Sequence, residues 1–483
     1  MAIDSVVHNI DTNLLTQRHT ITTQIILQSI SRRARPLRLY LLLSAAWLSA
    51  FDGRAADTAA SDADAAAKIF DVRQFGALGD GTNRDTAAIQ KALDECGKSG
   101  GVVHFGPGTY LCTPITLHSK TTLQLDAGAT LLGTDEPEDY KNPERKSTTL
   151  SSASFLALIN GKDLTDVTIA GPGTIDGAGA RWWVPAEAAR RKTPGFTTPR
   201  PRLILLTRCN NLRVQDITLQ NSPSFHLVPT ECENVVITNV TITAPSHSPN
   251  TDAIDPSMCK NVLITHCHID VGDDNVAIKS GRYLPGREFA CEDITVTDCT
   301  FLHGHGMSIG SETIGGVRNV IVRNCTFEGT ENGIRIKSQR GKGGVVENIR
   351  FSDITMKNVD PAITFTCYYM NNSAGDAGRP AAAKEDAAVP VDNRIPLYRD
   401  IHISNLTATC QRAAGVINGL PDDGLITNVV FENVRITAAT TGLNIRNARG
   451  IQFKDVQITP GEGPPLVLDN VQAEGLENIK GMP

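Results

Sequence analysis

Four short polar groups in the chain contain the residue types that acid–base chemistry needs. They are Asn250-Thr251-Asp252, Asp273-Asp274, Gly304-His305-Gly306 and Arg335-Ile336-Lys337. Asp274 follows Asp252 by 22 residues, and Arg335 follows His305 by 30. Cleavage of a glycosidic bond by water takes one protonated carboxyl group for the leaving oxygen and one ionised carboxylate for the water. The aspartates could supply both groups, and the two cations could bind a carboxylate on the substrate.

The aspartates would form a cluster of like charges if the fold brought them together. Repulsion between neighbouring carboxylates raises the pKa of at least one of them, which keeps an acid protonated at working pH. The cations Arg335 and Lys337 predict an acidic sugar as substrate, although the net charge of the chain is −6. Taken singly, these groups have ordinary structural explanations as turn residues, a bend between glycines and a solvated strand face. Their common spacing favours a joint site.

A repeated sequence motif explains how such distant groups could meet. Each copy begins with Asn, Asp or Gly, continues with apolar residues at alternate positions, and ends, after a polar corner, with two more apolar positions. Copies run over Asn234–Ile242 and Asn261–Ile269, and others begin at Asp293, Asn319, Asn348, Asp400, Asn428 and Gly450. Short alternating strands lie between them, at Val276–Ser280, Met307–Ser311, Ile334–Ser338, Ile363–Cys367 and Leu443–Asn447.

Repeats of this length indicate a solenoid or a propeller, and the four-stranded blade signature of a propeller is not visible. Strands without an intervening helical period, with Asn or Asp at the corners, favour an all-β, single-stranded, right-handed parallel β-helix. Equivalent residues in adjacent coils then lie about 4.8 Å apart. Because the polar groups recur about once per coil, we expect Asp252, Asp274, His305 and Arg335 on one patch of the outer wall.

The N-terminal part of the domain predicts a helix that caps the open end of the solenoid. The segment Thr86–Cys96 has a helical apolar period, and Asp85 stands at the N-cap position. The predicted buried face consists of Ile89, Ala92, Leu93 and Cys96. A solenoid needs such a cover because its terminal coil otherwise exposes the core.

A group of arginines followed by an apolar run predicts a targeting segment. The run Leu39–Leu48 is shorter than the roughly 20 residues of a membrane-spanning helix. We therefore expect an exported protein, secreted to the extracellular space or periplasmic, without a membrane partner. The predicted boundaries are a signal segment at 1–56, a linker at 57–69, one β-helix domain at 70–475 and an inserted loop at 371–391.

Composition excludes several other classes of protein. Hydrophobic residues make up 40% of the chain and charged residues 20%, which is too apolar for a disordered protein. A net charge of −6 argues against a nucleic-acid partner. The 11 cysteines lack the spacing of a zinc site. Several of them recur at one position of the repeat, and a role as small buried core residues explains this at least as well as disulfide bonds do. We expect a monomer with no metal and no cofactor.

The four polar groups, in this order and spacing, resemble the signature motifs of the polygalacturonases, glycoside hydrolase family 28. The resemblance covers roughly residues 70–460 and includes the segment Phe75-Gly76-Ala77-Leu78-Gly79-Asp80-Gly81. It implies a pectin-lyase-like β-helix that hydrolyses galacturonan in pectic polysaccharide with inversion of configuration. Asn275 follows the aspartate pair, where many relatives have Cys.

Carried over to this chain, the resemblance implies a role for each matched residue. Asp273 would be the general acid, and Asp252 and Asp274 would position and deprotonate water. His305 would support the protonation of the acid. The implied substrate-binding residues are Arg335, Lys337, Asn250 and, by a looser match, Tyr368.

Other functions stay open at this point. A rhamnogalacturonan or xylogalacturonan hydrolase has related chemistry, a pectate lyase shares the β-helix but cleaves by elimination, and some β-helices only bind glycans. The complete set of acids, base and cations favours hydrolysis, and Arg335, Lys337 and His305 together favour unbranched galacturonan. Trp182-Trp183 could stack on sugar or pack internally, and Lys279 could be a solvated strand residue.

Overall fold

The computed structural model describes residues 67–144, 154–193, 198–282, 289–369, 394–421 and 426–480. The predicted signal segment at 1–56, the first ten positions of the predicted linker and the predicted inserted loop at 371–391 lie outside these residues. The statements below concern the described part of the chain.

Parallel strands stack coil upon coil into three sheets, which we call sheets A, B and C. Sheet A contains β1 (Ile69–Asp71), β3 (Gly101–Phe105), β6 (Thr121–Leu125), β9 (Thr165–Ala170), β12 (Asn210–Gln215), β15 (Glu233–Thr238), β17 (Lys260–Thr265) and β20 (Cys291–Thr297). Sheet B contains β2 (Asp80–Arg84), β4 (Gly108–Cys112), β7 (Ala129–Gly133), β10 (Thr174–Asp176), β13 (Thr218–Gln220), β16 (Thr241–Thr243), β18 (His268–Asp270), β21 (Thr300–Phe301) and β32 (Ile479–Lys480).

Sheet C contains β5 (Ile115–Thr116), β8 (Ile159–Lys162), β11 (Ile204–Thr207), β14 (Leu227–Thr230), β19 (Val276–Ile278), β22 (Met307–Gly310), β24 (Ile334–Lys337), β26 (Ile363–Thr366) and β28 (Gly415–Asn418). Long strands bend from sheet A into sheet B, namely β23 (Val317–Glu328), β25 (Val345–Val359), β27 (Leu397–Cys410) and β29 (Ile426–Ala438). The last full coil is β30 (Leu443–Pro460), followed by β31 (Leu466–Glu474). The predicted parallel β-helix is confirmed.

The corners of the coils are made by Asn and Asp in left-handed backbone conformation, as the repeat predicts. Asn234, Asn261 and Asp293 occupy equivalent positions, with φ of 57°, 55° and 58°. Their side chains continue the stacking, because Asn261 Nδ2 donates to Asn234 Oδ1 over 2.6 Å. Short polar side chains tolerate this backbone region and bond to neighbouring groups.

The core lies inside the coil and consists of the alternate residues of each strand. Phe301 and Phe327 are fully buried on successive coils and pack edge to face, with ring centroids 4.8 Å apart. All 11 cysteines are buried and free, so they serve as small core residues, as the repeat favours.

The predicted capping helix is present as α1 (Thr86–Ser99), and a second helix, α2, spans Ala180–Lys192. Short 3-10 helices lie at Val72–Phe75, Pro137–Tyr140 and Leu476–Asn478. The buried face of α1 is the one predicted, Ile89, Ala92, Leu93 and Cys96. The expected capping role of Asp85 is wrong, because its side chain makes no cap hydrogen bond. The Asp85 carboxylate instead accepts the N–H groups of Leu78 and Gly79 over 2.7 and 2.9 Å, which ties down the preceding turn.

None of the helices in the described ranges is both long enough and apolar enough to cross a membrane.

Replacing Phe327 with Ala should lower the free energy of unfolding by about 3–5 kcal/mol, because it empties a fully buried aromatic site. The control is Ile321→Ala on the same strand, β23, where the side chain is 40% exposed and the change should stay within about 0.5 kcal/mol. Thermal and urea unfolding of the two variants would compare them. Equal stabilities would contradict the core assignment.

Candidate active site

The outer face of sheet C brings the predicted polar residues together. Asp274 lies two residues before β19, His305 lies two residues before β22, and Arg335 lies on β24. Backbone hydrogen bonds of 2.9 Å, from Ala253 N to Asp274 O and from His305 N to Asp273 O, join the coils that carry these residues. The side chains therefore meet because their coils are in register.

Asp274 lies at the centre of the site and is held by two cations and a hydroxyl. Its carboxylate accepts from Lys337 Nζ over 2.7 Å and from the Arg335 guanidinium. Ser308 Oγ donates to it over 2.8 Å and accepts from Arg335 Nε over 3.0 Å. Burial raises the pKa of Asp274, but Lys337 and Arg335 outweigh burial and lower it to about 2. Asp274 is therefore an ionised carboxylate.

Asp273 forms a chain of three groups with His305 and Glu331. His305 Nδ1 lies 3.0 Å from Asp273 Oδ1, and His305 Nε2 lies 3.0 Å from Glu331 Oε2. Burial alone would lower the pKa of His305, but the charge of Asp273 and the two hydrogen bonds raise it to about 10. Burial likewise raises the pKa of Asp273, but the charge and hydrogen bond of His305 lower it below its ordinary value. The Asp273–His305 pair therefore holds one proton at neutral pH.

Asp252 carries the raised pKa that the cluster of like charges predicts. The main causes are burial and the charge of Asp273, while Lys279 opposes them. Lys279 Nζ lies 3.2 Å from Asp252 Oδ2 and 2.5 Å from Asp255 Oδ2. Lys279 is thus a largely buried ion-pair partner rather than a solvated strand residue. Asp252 Oδ1 has no hydrogen-bond partner in the described parts of the chain and can receive a ligand or water.

Asn250, Arg200 and Asn275 hold the loops that present the aspartates. Asn250 Nδ2 lies 3.5 Å from Asp273 Oδ2, and Asn250 Oδ1 accepts from the buried Arg200 over 2.8 Å. Arg200 also donates to three backbone carbonyl groups, so it fixes the turn. Asn275 Oδ1 accepts Gly306 N–H over 2.8 Å, and its amide donates to carbonyls of two coils. Asn275 therefore joins the aspartate coil to the His305 coil.

The aromatic residues near the site divide into two groups. Tyr369 places its ring 5.1 Å from Lys337 Nζ, whereas the neighbouring Tyr368 packs against the hydrophobic core. A substrate contact by Tyr368 stays a prediction. Trp182 and Trp183 are buried. Trp182 packs edge-on against Tyr140, and the Trp183 indole N–H donates to a backbone carbonyl. Both tryptophans are packing residues in this structure.

Asp273, Asp274 and His305 are close enough for their side chains to be compared with a metal site. One atom each from Asp273, Asp274 and His305 lie within 4.8 Å of one another. Two cations already neutralise Asp274, however, and His305 is itself cationic. A further positive charge would be repelled, which argues against a metal ion at this cluster.

Sequence reasoning missed Ser308, Glu331 and Arg200. Ser308 had a signal, because it precedes Arg335 by 27 residues and therefore stands one coil away. Glu331 and Arg200 had no signal of this kind, because their side chains enter the site from turns. The assembled site offers an ionised carboxylate, a carboxyl group with a raised pKa and a carboxyl–imidazole pair that holds a proton. Acid–base cleavage of a glycosidic bond uses groups of these kinds.

Comparison with known proteins gives one family and several similar proteins. Residues 110–455 match the family "Glycosyl hydrolases family 28", and residues 69–136 match "Rhamnogalacturonase A/epimerase, pectate lyase-like". An endo-polygalacturonase of Pectobacterium carotovorum is 34% identical over 74% of this chain and 85% of that protein. A probable polygalacturonase of Vitis vinifera is 32% identical over 83% of each chain. The solved structure of a polygalacturonase from Erwinia carotovora superposes with a TM-score of 0.67 at 32% identity, covering 80% of this chain and 97% of that one.

The imidazole of His305 should stay protonated well above the ordinary histidine pKa of 6.5, with a midpoint near pH 10. NMR of the ring nitrogens between pH 5 and 10 would follow this titration. Since the folded pKa is raised, the stabilisation from this ion pair is complete below about pH 6.5 and is lost as the pH rises toward 10.

The stability difference between the wild type and His305→Gln should therefore shrink over that upper range. A ring that loses its proton near pH 6.5 would contradict the pairing with Asp273.

Proposed function

Because the chain belongs to glycosyl hydrolases family 28, we propose that it hydrolyses the α-1,4 bonds between galacturonate residues of pectic polysaccharide. The observation that carries this proposal is the set of three aspartates and three cationic groups on one face of sheet C. This is the arrangement that an acidic glycan and an acid–base mechanism need. Similarity to polygalacturonases over most of the chain supports galacturonan as the substrate.

Asp273 is the general acid of the proposed mechanism. Its hydrogen bond to His305 gives it a proton source, because the pair holds one proton at neutral pH. At rest the proton lies on His305 and Asp273 is ionised. As negative charge develops on the glycosidic oxygen, His305 passes its proton to Asp273, Asp273 protonates the leaving oxygen, and His305 is left neutral. Glu331 keeps the imidazole oriented for this transfer, since it accepts from the opposite ring nitrogen.

Asp274 and Asp252 handle the water in this proposal. Asp274 is ionised, so it can accept the proton of the attacking water. Asp252 Oδ1 is free of hydrogen bonds within the described ranges, so it can position that water. Attack from the face opposite the leaving oxygen inverts the configuration. A carboxylate oxygen of Asp273 and one of Asp274 lie within 4.8 Å of each other, closer than the usual spacing in inverting enzymes, so the inversion is inferred from the family.

Arg335 and Lys337 bind the substrate carboxylate in this proposal. Both donate to Asp274, yet each keeps further N–H groups, because a guanidinium has five donors and an ammonium three. Tyr369 lies against Lys337 and closes this end of the site. Asn250 orients Asp273. An alternative substrate is rhamnogalacturonan or xylogalacturonan, where a neutral or branched sugar would replace the galacturonate beside these cations.

We also propose that the chain is exported to the extracellular space or periplasm and acts as a monomer without a cofactor. The basic residues before Leu39–Leu48 support export, and the polymeric substrate lies outside the cell. Capping of the first coil by α1 supports a monomer, since it covers an end on which a second copy could stack.

Asp273→Asn should reduce kcat on polygalacturonate about 10²- to 10⁴-fold, because the amide cannot donate the proton to the leaving oxygen. Reducing ends released over time measure the rate. Asp293→Asn is the control, because Asp293 is a corner residue with a φ of 58° that Asn tolerates. Full activity of Asp273→Asn would remove Asp273 from the mechanism.

The first reducing ends released from α-linked galacturonan should be β-anomers, because attack from the opposite face inverts the configuration. Proton NMR in the first minutes of reaction reads the anomer before mutarotation. An α-product would favour retention. An unsaturated product that absorbs in the ultraviolet would indicate elimination and overturn the hydrolase proposal.

A further inference from the structure

A cavity on the outer face of sheet C adjoins the aspartate cluster and has no role in the proposed mechanism. Its lining includes Arg202, Phe225, Val228, Thr230, Asp255 and Lys279. It begins at the cluster itself, because Lys279, which lines it, also donates to Asp252 over 3.2 Å. It extends from there across the preceding coils, away from Arg335 and Lys337.

The register that stacks the aspartates continues into this cavity. Backbone hydrogen bonds of 2.8–3.0 Å join successive coils from Arg202 through Phe225 and Asp252 to Asp274. These four residues therefore occupy equivalent positions on successive coils, one strand spacing apart. A glycan chain that lies along this face and crosses the aspartates reaches the cations of β24 at one end and Arg202 at the other.

Two cations face one aromatic ring in the cavity. The Arg202 guanidinium carbon lies 5.6 Å from the centroid of Phe225, and Lys279 Nζ lies 4.4 Å from it. Lys279 is neutralised by Asp255 and Asp252. Arg202 has no comparable partner, since none of its side-chain atoms forms an ion pair with a described residue and its buried Nε has no hydrogen-bond partner there. A buried donor without an acceptor is costly, which points to a ligand that supplies one.

The charges around Arg202 also favour an anion. The carboxyl groups that face the cavity and its edge are Asp255 and Asp252. Burial raises the pKa of Asp255 to about 6, against the effect of Lys279, and burial also raises the pKa of Asp252. As the pH falls through 6, Asp255 loses its negative charge, so less negative charge opposes Arg202 and Lys279. Asp255 Oδ1, which also lacks a partner within the described residues, can meet a sugar hydroxyl group.

We propose that this cavity is a second carboxylate-binding subsite, in which Arg202 binds a galacturonate carboxylate on the opposite side of the cleavage point from Arg335 and Lys337. The inference rests on the proposed function, because it takes galacturonan as the substrate. The planar guanidinium can pair with a carboxylate through two parallel N–H groups. A neutral or methyl-esterified sugar would leave Arg202 without an anionic partner, so the subsite selects for free acid at this position.

Arg202→Gln should raise KM for polygalacturonate about ten- to a hundredfold with little change in kcat, because a charge-assisted contact to bound substrate is lost. The preference for galacturonate oligomers over their methyl esters should shrink by the same factor. Arg202→Lys keeps the positive charge but loses the paired N–H groups of the guanidinium, so its KM should fall between that of the wild type and that of Arg202→Gln. The KM of Arg202→Lys also tests the subsite if Arg202→Gln folds poorly. Arg213→Gln is the matched control, since Arg213 is exposed on β12 of sheet A, and its KM should equal that of the wild type.

An unchanged KM and unchanged ester discrimination in Arg202→Gln, with an active wild type, would overturn the subsite and leave the proposed function standing. A wild type that releases no reducing ends would defeat the proposed function instead. Calorimetric titration with trigalacturonate then decides the subsite separately. Weaker binding to Arg202→Gln than to Arg213→Gln would support it, and equal binding would overturn it.

Discussion

The hydrogen bonds between successive coils are the constraint on which the rest of the molecule depends. They keep equivalent backbone positions one strand spacing apart, about 4.8 Å, over the whole length of the solenoid. Residues about one coil apart in the chain, such as Asp274 and His305, therefore become neighbours. Any loss of register by one residue would turn these side chains from the outer wall into the core. The geometry of the site is thus set by backbone pairing, and the side chains only refine it.

The buried charges of the site are balanced mainly by one another. Removing an ion from water costs several kcal/mol even after relaxation, so each ionised group needs a partner. Asp274 is paired with Lys337 and Arg335, and Asp273 with His305. Asp252 has only a shared partner, and it is the carboxyl group with the raised pKa. The ion pairs that stabilise the site therefore also determine which of its groups carry the protons used in the reaction.

Much of this arrangement could be predicted from the sequence because repetition converts spacing into proximity. The recurring Asn and Asp corners predicted the coils, and the steps from Asp252 to Arg335 predicted the cluster. The direction of single side chains was not predictable. Asp85 occupies the N-cap position, but its side chain bonds to a neighbouring turn. Glu331 reaches His305 from a turn that is not part of the sequence repeat. Such contacts depend on rotamers and on loop paths, which periodicity does not encode.

The buried cysteines give the solenoid an internal chemical reporter. Cys267, Cys299 and Cys325 occupy the same position on three successive coils, and like the other thiols they are free and inaccessible. A thiol-specific reagent can modify these residues only when a coil separates from its neighbours. The rate of modification therefore measures how often, and where, the stack opens.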